Sequence, residues 1–182
     1  MRAILAFMIA ILTACAISPA RVEAPARAAA KKLESPTKPL SSFAEYDLKP
    51  MVFSNAIEGD KGKLEKAREL RRSLNDRLLP LLESWHVSGN EDASDSLSIE
   101  TELINLRVVS GVVRTWTPTV AVGDSHIDIN LRLVNTTTGD AIANLEIRTR
   151  ARRWGSAYTG VSDETLDEYV VAIVYNYLSD NH

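Results

Sequence analysis

The stretch "HIDINLRLVNTTTGDAIANLEIRTRA", residues 126–151, constrains the fold more than any other part of the chain. Ile127, Ile129, Leu131 and Leu133 alternate with Asp128, Asn130 and Arg132. After a run of turn residues, Leu145, Ile147, Thr149 and Ala151 resume the same beat. A period of two is the signature of a strand with one face buried and one in water. Closing the turn with Asn135 opposite Ala141 sets Leu131 against Leu145 and Ile129 against Ile147 on one face. The same register sets Asp128 against Arg148 on the other. Pattern and turn therefore agree on one hairpin.

The rest of the pattern supplies what that sheet packs against. After Asp60, a residue suited to an N-cap, Leu64, Ala67, Leu70, Leu74, Leu78, Leu81 and Trp85 recur at spacings of three and four, which predicts an amphipathic helix. Pro80 is expected to kink or end it. Leu97, Ile99, Thr101 and Leu103 alternate as a strand; the phase then flips to Ile104, Leu106 and Val108, the mark of a bulge. "GVVRTWTPTVAV" (111–122) is a further strand candidate, interrupted at Pro118. "LKPMVFSNAI" reads as a short edge strand because of Pro50. Ser162 is placed to cap a last helix whose stripe is Leu166, Val170, Ile173, Val174 and Tyr177. The order predicts an α+β domain: an antiparallel sheet of four to five strands with two amphipathic helices packed on one face.

The chain has 182 residues, 45% apolar and 25% charged, which suits one folded domain with appendages. The net charge of -3 divides unevenly. Residues 16–42 are basic on balance, whereas the body from Phe43 onward is acidic. That excludes a nucleic-acid module, which needs clustered Lys and Arg for phosphate. Pro19, Pro25, Pro36 and Pro39 interrupt an Ala-, Lys- and Arg-rich stretch with no apolar period, so residues 15–42 read as a flexible tether. The folded domain is expected over 43–182.

The N-terminus carries an address. Arg2 precedes an apolar run, Ala3 to Ala14, that is too short to span a bilayer and has the layout of a signal peptide over residues 1–14. It ends at Cys15, the single cysteine, so no intrachain disulfide can form. Leu12, Thr13, Ala14 and Cys15 closely resemble the lipobox of bacterial lipoproteins. The resemblance implies cleavage before Cys15, a thioether diacylglycerol on its sulfur and an acyl group on the new N-terminus. Several acyl chains would hold durably where one holds reversibly. By the sorting rule of enteric lipoproteins, Ala16 after the cysteine implies the outer membrane, with the domain facing the periplasm.

Chemistry-bearing motifs are sparse. Gly123, Asp124 and Ser125 resemble the nucleophile block of GDSL-type esterases, and Asp180 and His182 resemble the late pair of that family. The spacing here is D-x-H where the family has D-x-x-H, and a strand pattern follows Ser125 where the family has a helix. A turn accounts for the same residues. His86, His126 and His182 are scattered without metal-ligand spacing, and there is no Gly-rich phosphate loop, so neither metal nor cofactor is expected. Arg148, Arg150 and Arg152 share the outward face of one strand, where they would contact an anion or partner. Glu100, Glu102, Asp128 and Glu146 on the same sheet face predict cross-strand pairing instead.

The lipobox, the Pro-containing tether, the amphipathic helix and "VNTTTGDAIANL" before a terminal helix together resemble small Gram-negative lipoproteins. Their domain is similar to the N-terminal domain of Tol-type proteins and of the curli-secretion lipoprotein. That resemblance implies a non-catalytic interaction or assembly protein of the envelope, with the lipid bilayer and an envelope protein as partners. An esterase using Ser125, or a carrier of an apolar or anionic ligand, are the alternatives.

Overall fold

The structure, a computed structural model, describes residues 20–87, 94–108, 124–151 and 161–182. The signal-peptide region, Cys15, the strand candidate at 111–122 and Arg152 lie outside the described residues. In chain order the elements are α1 (Ala20–Ala30), β1 (Glu45–Leu48), β2 (Val52–Phe53), the single-turn α2 (Asn55–Glu58) and α3 (Lys61–Val87). Then follow β3 (Ser96–Arg107), β4 (Ser125–Asn135), β5 (Ala141–Ala151) and α4 (Leu166–Asp180).

The fold is α+β, with a five-stranded sheet in which β3, β4 and β5 run antiparallel. The hairpin register is the expected one from Asp128–Arg148 through Leu131–Leu145 to Leu133–Ala143. Nearer the turn the ladder slips, pairing Val134 with Ala141 in place of Asn135 with Ala141. This bulge leaves Asn135 free to build the turn: its side-chain oxygen accepts from Thr137 N–H at 2.9 Å, and its own N–H bonds Asp140 C=O at 2.9 Å. Gly139 takes φ 81°, a left-handed conformation that side chains resist. The phase flip in β3 is likewise a register shift between Leu103 and Asn105. It returns Leu106 to the core and leaves Ile104 and Val108 exposed.

The first departure from the expected all-antiparallel sheet is at β1 and β2, which both pair with β3 in parallel. Pro50 falls between them, so the chain loses its ladder donor at a break and not within a strand. α3 starts where expected, with Asp60 Oδ1 accepting from Gly62 and Lys63 N–H at 2.9 and 3.1 Å. It does not end at Pro80. Pro80 is exposed and so is Asp76, the residue whose carbonyl loses its helical donor, so water can serve that carbonyl. Leu78, Leu82 and Trp85 pack in the core on either side and hold the helix through the proline. The capping box at Ser162 and Thr165 starts a short 3-10 turn that leads into α4.

The larger correction concerns residues 15–42. The reading of this span as a tether fails from Ala20 onward, because α1 is a helix that packs along α4. Val22, Ala26 and Ala30, spaced by four, are buried at 2%, 0% and 4% exposure. Small side chains let the two helices approach closely. Ala is also the best helix former, which offsets the cost of Pro25. Polar contacts fix the approach: Glu23 accepts from Arg77 of α3 and from Asn176 of α4 at 3.2 Å, and Arg27 bonds Asp180 at 3.1 Å. Further on, Leu40 and Phe43 are fully buried. α4 is accordingly covered on two sides, and Val171, Ala172 and Leu178 are buried as well as the predicted stripe. Two helices were expected over the sheet, whereas three long ones form the helical layer.

Candidate functional site

The esterase alternative at Ser125 does not assemble among the described residues. Ser125 is fully buried as the first residue of β4. His182 belongs to a cluster at the other end of the sheet. Its ring stacks on Trp85 with centroids 4.1 Å apart at 10°, and its Nε2 lies 3.2 Å from the Tyr46 hydroxyl. Tyr46 pairs with Leu97 and Leu97 with Asn135, ten residues along β4 from Ser125. At the rise of a strand the two groups are about 30 Å apart. Asp180, the third member, is held by Arg27. Burial against Trp85 lowers the His182 pKa below 6.5. His126 sits on the outer sheet face near Asp124 C=O, and His86 contacts Tyr46 C=O. His86 and His182 thus both pack against the Tyr46 ring, with centroids 5.5 and 5.9 Å from it, while His126 lies apart from them. Among the described residues no group of His, Cys, Asp and Glu has the geometry to hold a metal.

The face of the sheet turned away from the helices is built from the outward residues of β3, β4 and β5, and it is polar, as an antiparallel sheet with one wet side should be. Arg132 donates to Glu100 across the strands at 3.3 Å, the predicted kind of pairing. Arg148 behaves differently. It sits opposite Asp128 in the ladder, yet its guanidinium grips Glu146 on its own strand with two bonds of 2.7 and 2.8 Å. That contact lowers the Glu146 pKa and raises that of Arg148. Arg150 pairs with His126 in register and makes no ion pair among the described residues. Of the three arginines expected to contact an anion or partner, Arg148 is locally neutralised by Glu146, Arg150 is without an ion pair among the described residues, and Arg152 lies outside the described residues.

Among the described strands β5 is one edge of the sheet, and backbone alternation tells which of its groups point away from β4. Ala44, Lys49 and Ser54 donate their N–H groups to the carbonyls of Asp95, Ile99 and Leu103. Odd-numbered residues of β3 before its bulge thus aim backbone groups at β1 and β2, and even-numbered ones at β4. Carrying the alternation through the pairs Glu100–Arg132 and Leu131–Leu145 leaves Asn144, Glu146, Arg148 and Arg150 aiming theirs away from the sheet. Thr37 N–H bonds Ile142 C=O at 2.9 Å and so covers the start of this edge. Beyond it, among the described residues, the outward N–H and C=O groups from Asn144 to Arg150 have no backbone partner. Beside them runs a groove of about 500 Å³ between β5, α1 and α4, walled by Ala29, Leu33, Ile147, Tyr169 and Ile173 with Lys32.

By contrast, the opposite edge is short and interrupted by Pro50, the usual way of blunting a sheet edge. No signal in the single strand "ANLEIRTRA" identifies it as the edge; that follows from strand order alone.

The sequence matches no family model and no curated protein. Among solved structures it is similar to a point variant of the PelC dodecamer from Paraburkholderia phytofirmans, with a TM-score of 0.47 and 7% identity, covering 80% of this chain and 94% of that one. It is also similar to protein XCC0632 from Xanthomonas campestris, with a TM-score of 0.43 and 8% identity, covering 73% and 82% of the two chains. A candidate lipoprotein from Caulobacter crescentus follows at 0.33 and 12% identity, covering 75% and 85%.

Proposed function

We propose that this chain is a lipid-anchored, non-catalytic interaction or assembly protein of a bacterial envelope, held at the outer membrane by acylated Cys15 and facing the periplasm. The observation that carries the reading is the run Leu12-Thr13-Ala14-Cys15 at the end of a short apolar segment, with no second cysteine to suggest another use for the thiol. Thioether formation explains that residue, because a thiolate is the side-chain nucleophile suited to it. The domain supports a binding role in two ways. Ser125 is sealed in the sheet far from His182, and a strand edge that is open among the described residues, with a groove beside it, offers a surface for protein contact. No helix among the described residues is long and apolar enough to cross a membrane, so attachment through the lipid is consistent with the rest of the chain.

Metabolic labelling with a palmitate analogue tests the anchor. The wild-type chain should take up label and fractionate with membranes, and Cys15→Ser should lose the label and stay in the uncleaved form. An unlabelled, soluble wild-type protein, or label that survives Cys15→Ser, overturns the reading. Crosslinking of the lipidated protein in its own envelope then identifies the partner.

A further inference from the structure

We infer that β5 is a self-association edge: two copies of this chain pair their β5 strands antiparallel across a two-fold axis at Ile147, joining both sheets into one. The inference concerns the folded domain alone and is independent of the anchor, so either can fail without the other.

Three observations lead to it. First, the backbone groups of Asn144, Glu146, Arg148 and Arg150 point outward without backbone partners among the described residues, over a span longer than the average strand. Such an edge is a template for another strand. Second, the charges on it are complementary to themselves in one register. Antiparallel pairing joins outward-pointing residues to outward-pointing residues, so only shifts of two are allowed. With the axis at Ile147, Glu146 faces Arg148 of the second copy, Arg148 faces its Glu146, and Asn144 faces its Arg150. Sliding by one step in either direction sets Glu146 against Glu146 or Arg148 against Arg148. Opposite charges directly across a ladder stabilise it and like charges destabilise it. The sequence of β5 therefore selects this one register while repelling its neighbours, a form of specificity that a generic open edge lacks.

Third, the inner side fits. Ile147 from each copy would meet at the axis, directly over the groove formed by Ala29, Leu33, Tyr169 and Ile173. The two grooves would then lie side by side beneath the junction, where Ile147 and Ile173 are already buried and the half-buried Ala29, Leu33 and Tyr169 give apolar surface to cover on the helix side of the joined sheet. The contact would end at Ile142, where Thr37 already occupies the edge. Within these limits about eight intermolecular backbone hydrogen bonds can form, two for each narrow pair.

Sedimentation velocity and light scattering on the full chain in detergent, at rising concentration, measure the outcome. The wild type should be a dimer. Arg148→Glu and Glu146→Arg each create two like-charge pairs and should weaken dimerisation about tenfold or more. The double exchange Glu146→Arg/Arg148→Glu should restore it. Both side chains are exposed, and far-UV circular dichroism confirms that each variant is folded. A wild-type chain that stays monomeric at all concentrations overturns the proposal. So does a dimer indifferent to the single reversals, or a folded double exchange that remains monomeric.

Discussion

Thr101 and Thr149 lie on neighbouring-but-one strands, both turned into the core and both 3% exposed, yet their hydroxyls are in opposite situations. Thr149 Oγ1 donates to Ile127 C=O at 2.8 Å. Thr101 Oγ1 is buried on the helix side of β3 without a hydrogen-bond partner among the described residues. Burying an unpaired hydroxyl costs about 1–3 kcal/mol in proteins. Valine has the same shape and a comparable strand preference, so Thr101→Val removes that cost without opening a cavity. Stability should rise by about 1–2 kcal/mol. For a chain of this size that is an increase in Tm of roughly 4 °C. The same substitution at Thr149 removes a satisfied bond and should lower stability by about 1 kcal/mol. Urea unfolding of the two variants beside the wild type reads both signs in one experiment. Equal signs, or a Thr101→Val chain less stable than the wild type, would refute the assignment of Thr101 as an unsatisfied group.

Two further outcomes follow from the polar contacts. Arg77 bonds Glu23 and lies 4.6 Å over the Tyr175 ring, so Arg77→Ala removes the chief polar hold on α1. Trypsin should then cut at Arg27, Lys31 and Lys32 about tenfold faster while the sheet stays intact; unchanged cleavage would refute the role of that contact. Stability should also fall in two stages as pH drops. Burial depresses His182 below 6.5, so its unfolded form takes up protons first and the first loss begins near that pH. Glu23 is desolvated, which raises its pKa, but the Arg77 and Asn176 hydrogen bonds and the charges of Arg77 and Arg27 outweigh this and hold it below 4.5. Its contribution is present above 4.5 and lost below it. Asp167 works the other way, since burial raises it above 3.8 and its protonation in the folded state offsets part of the acid loss. In urea midpoints against pH, His182→Gln should flatten the first stage and leave the second; a first stage that persists would rule out His182 as its source.

Where a segment buries a face in strict period, the sequence announced it. The alternation at Ile127 to Leu133 and at Leu145 to Ala151 gives the hairpin because a slip by one residue would turn every apolar group to water. The flip after Leu103 marked its bulge for the same reason. α1 was hidden because its buried positions are Val22 and two alanines, which carry little hydropathy, and because Pro25 argues against a helix. A signal was present elsewhere: Val171, Ala172 and Leu178 widen the apolar surface of α4 beyond what one sheet can cover. The outward placement of Arg148 and Arg150 was readable from the period of β5. That Arg148 closes on Glu146 along its own strand was not, since β-strand neighbours two apart compete with those across the ladder. The stacking of His182 on Trp85 depends on where the last helix ends and has no local pattern.

The docking of α1 also sets the length of the leash. If the lipid is on Cys15, only the steps from there to Ala20 separate bilayer from folded domain, at most about 18 Å when fully extended. A chain loose to Ser42 would have let the domain roam through the space beneath the membrane. Such a short leash would confine it to a shallow layer, with Arg27 exposed on α1 and Lys31 and Lys32 exposed in the turn just past its end. Two copies sharing one sheet would be tied down at both ends of the pair, so whatever they meet must be brought to the membrane surface.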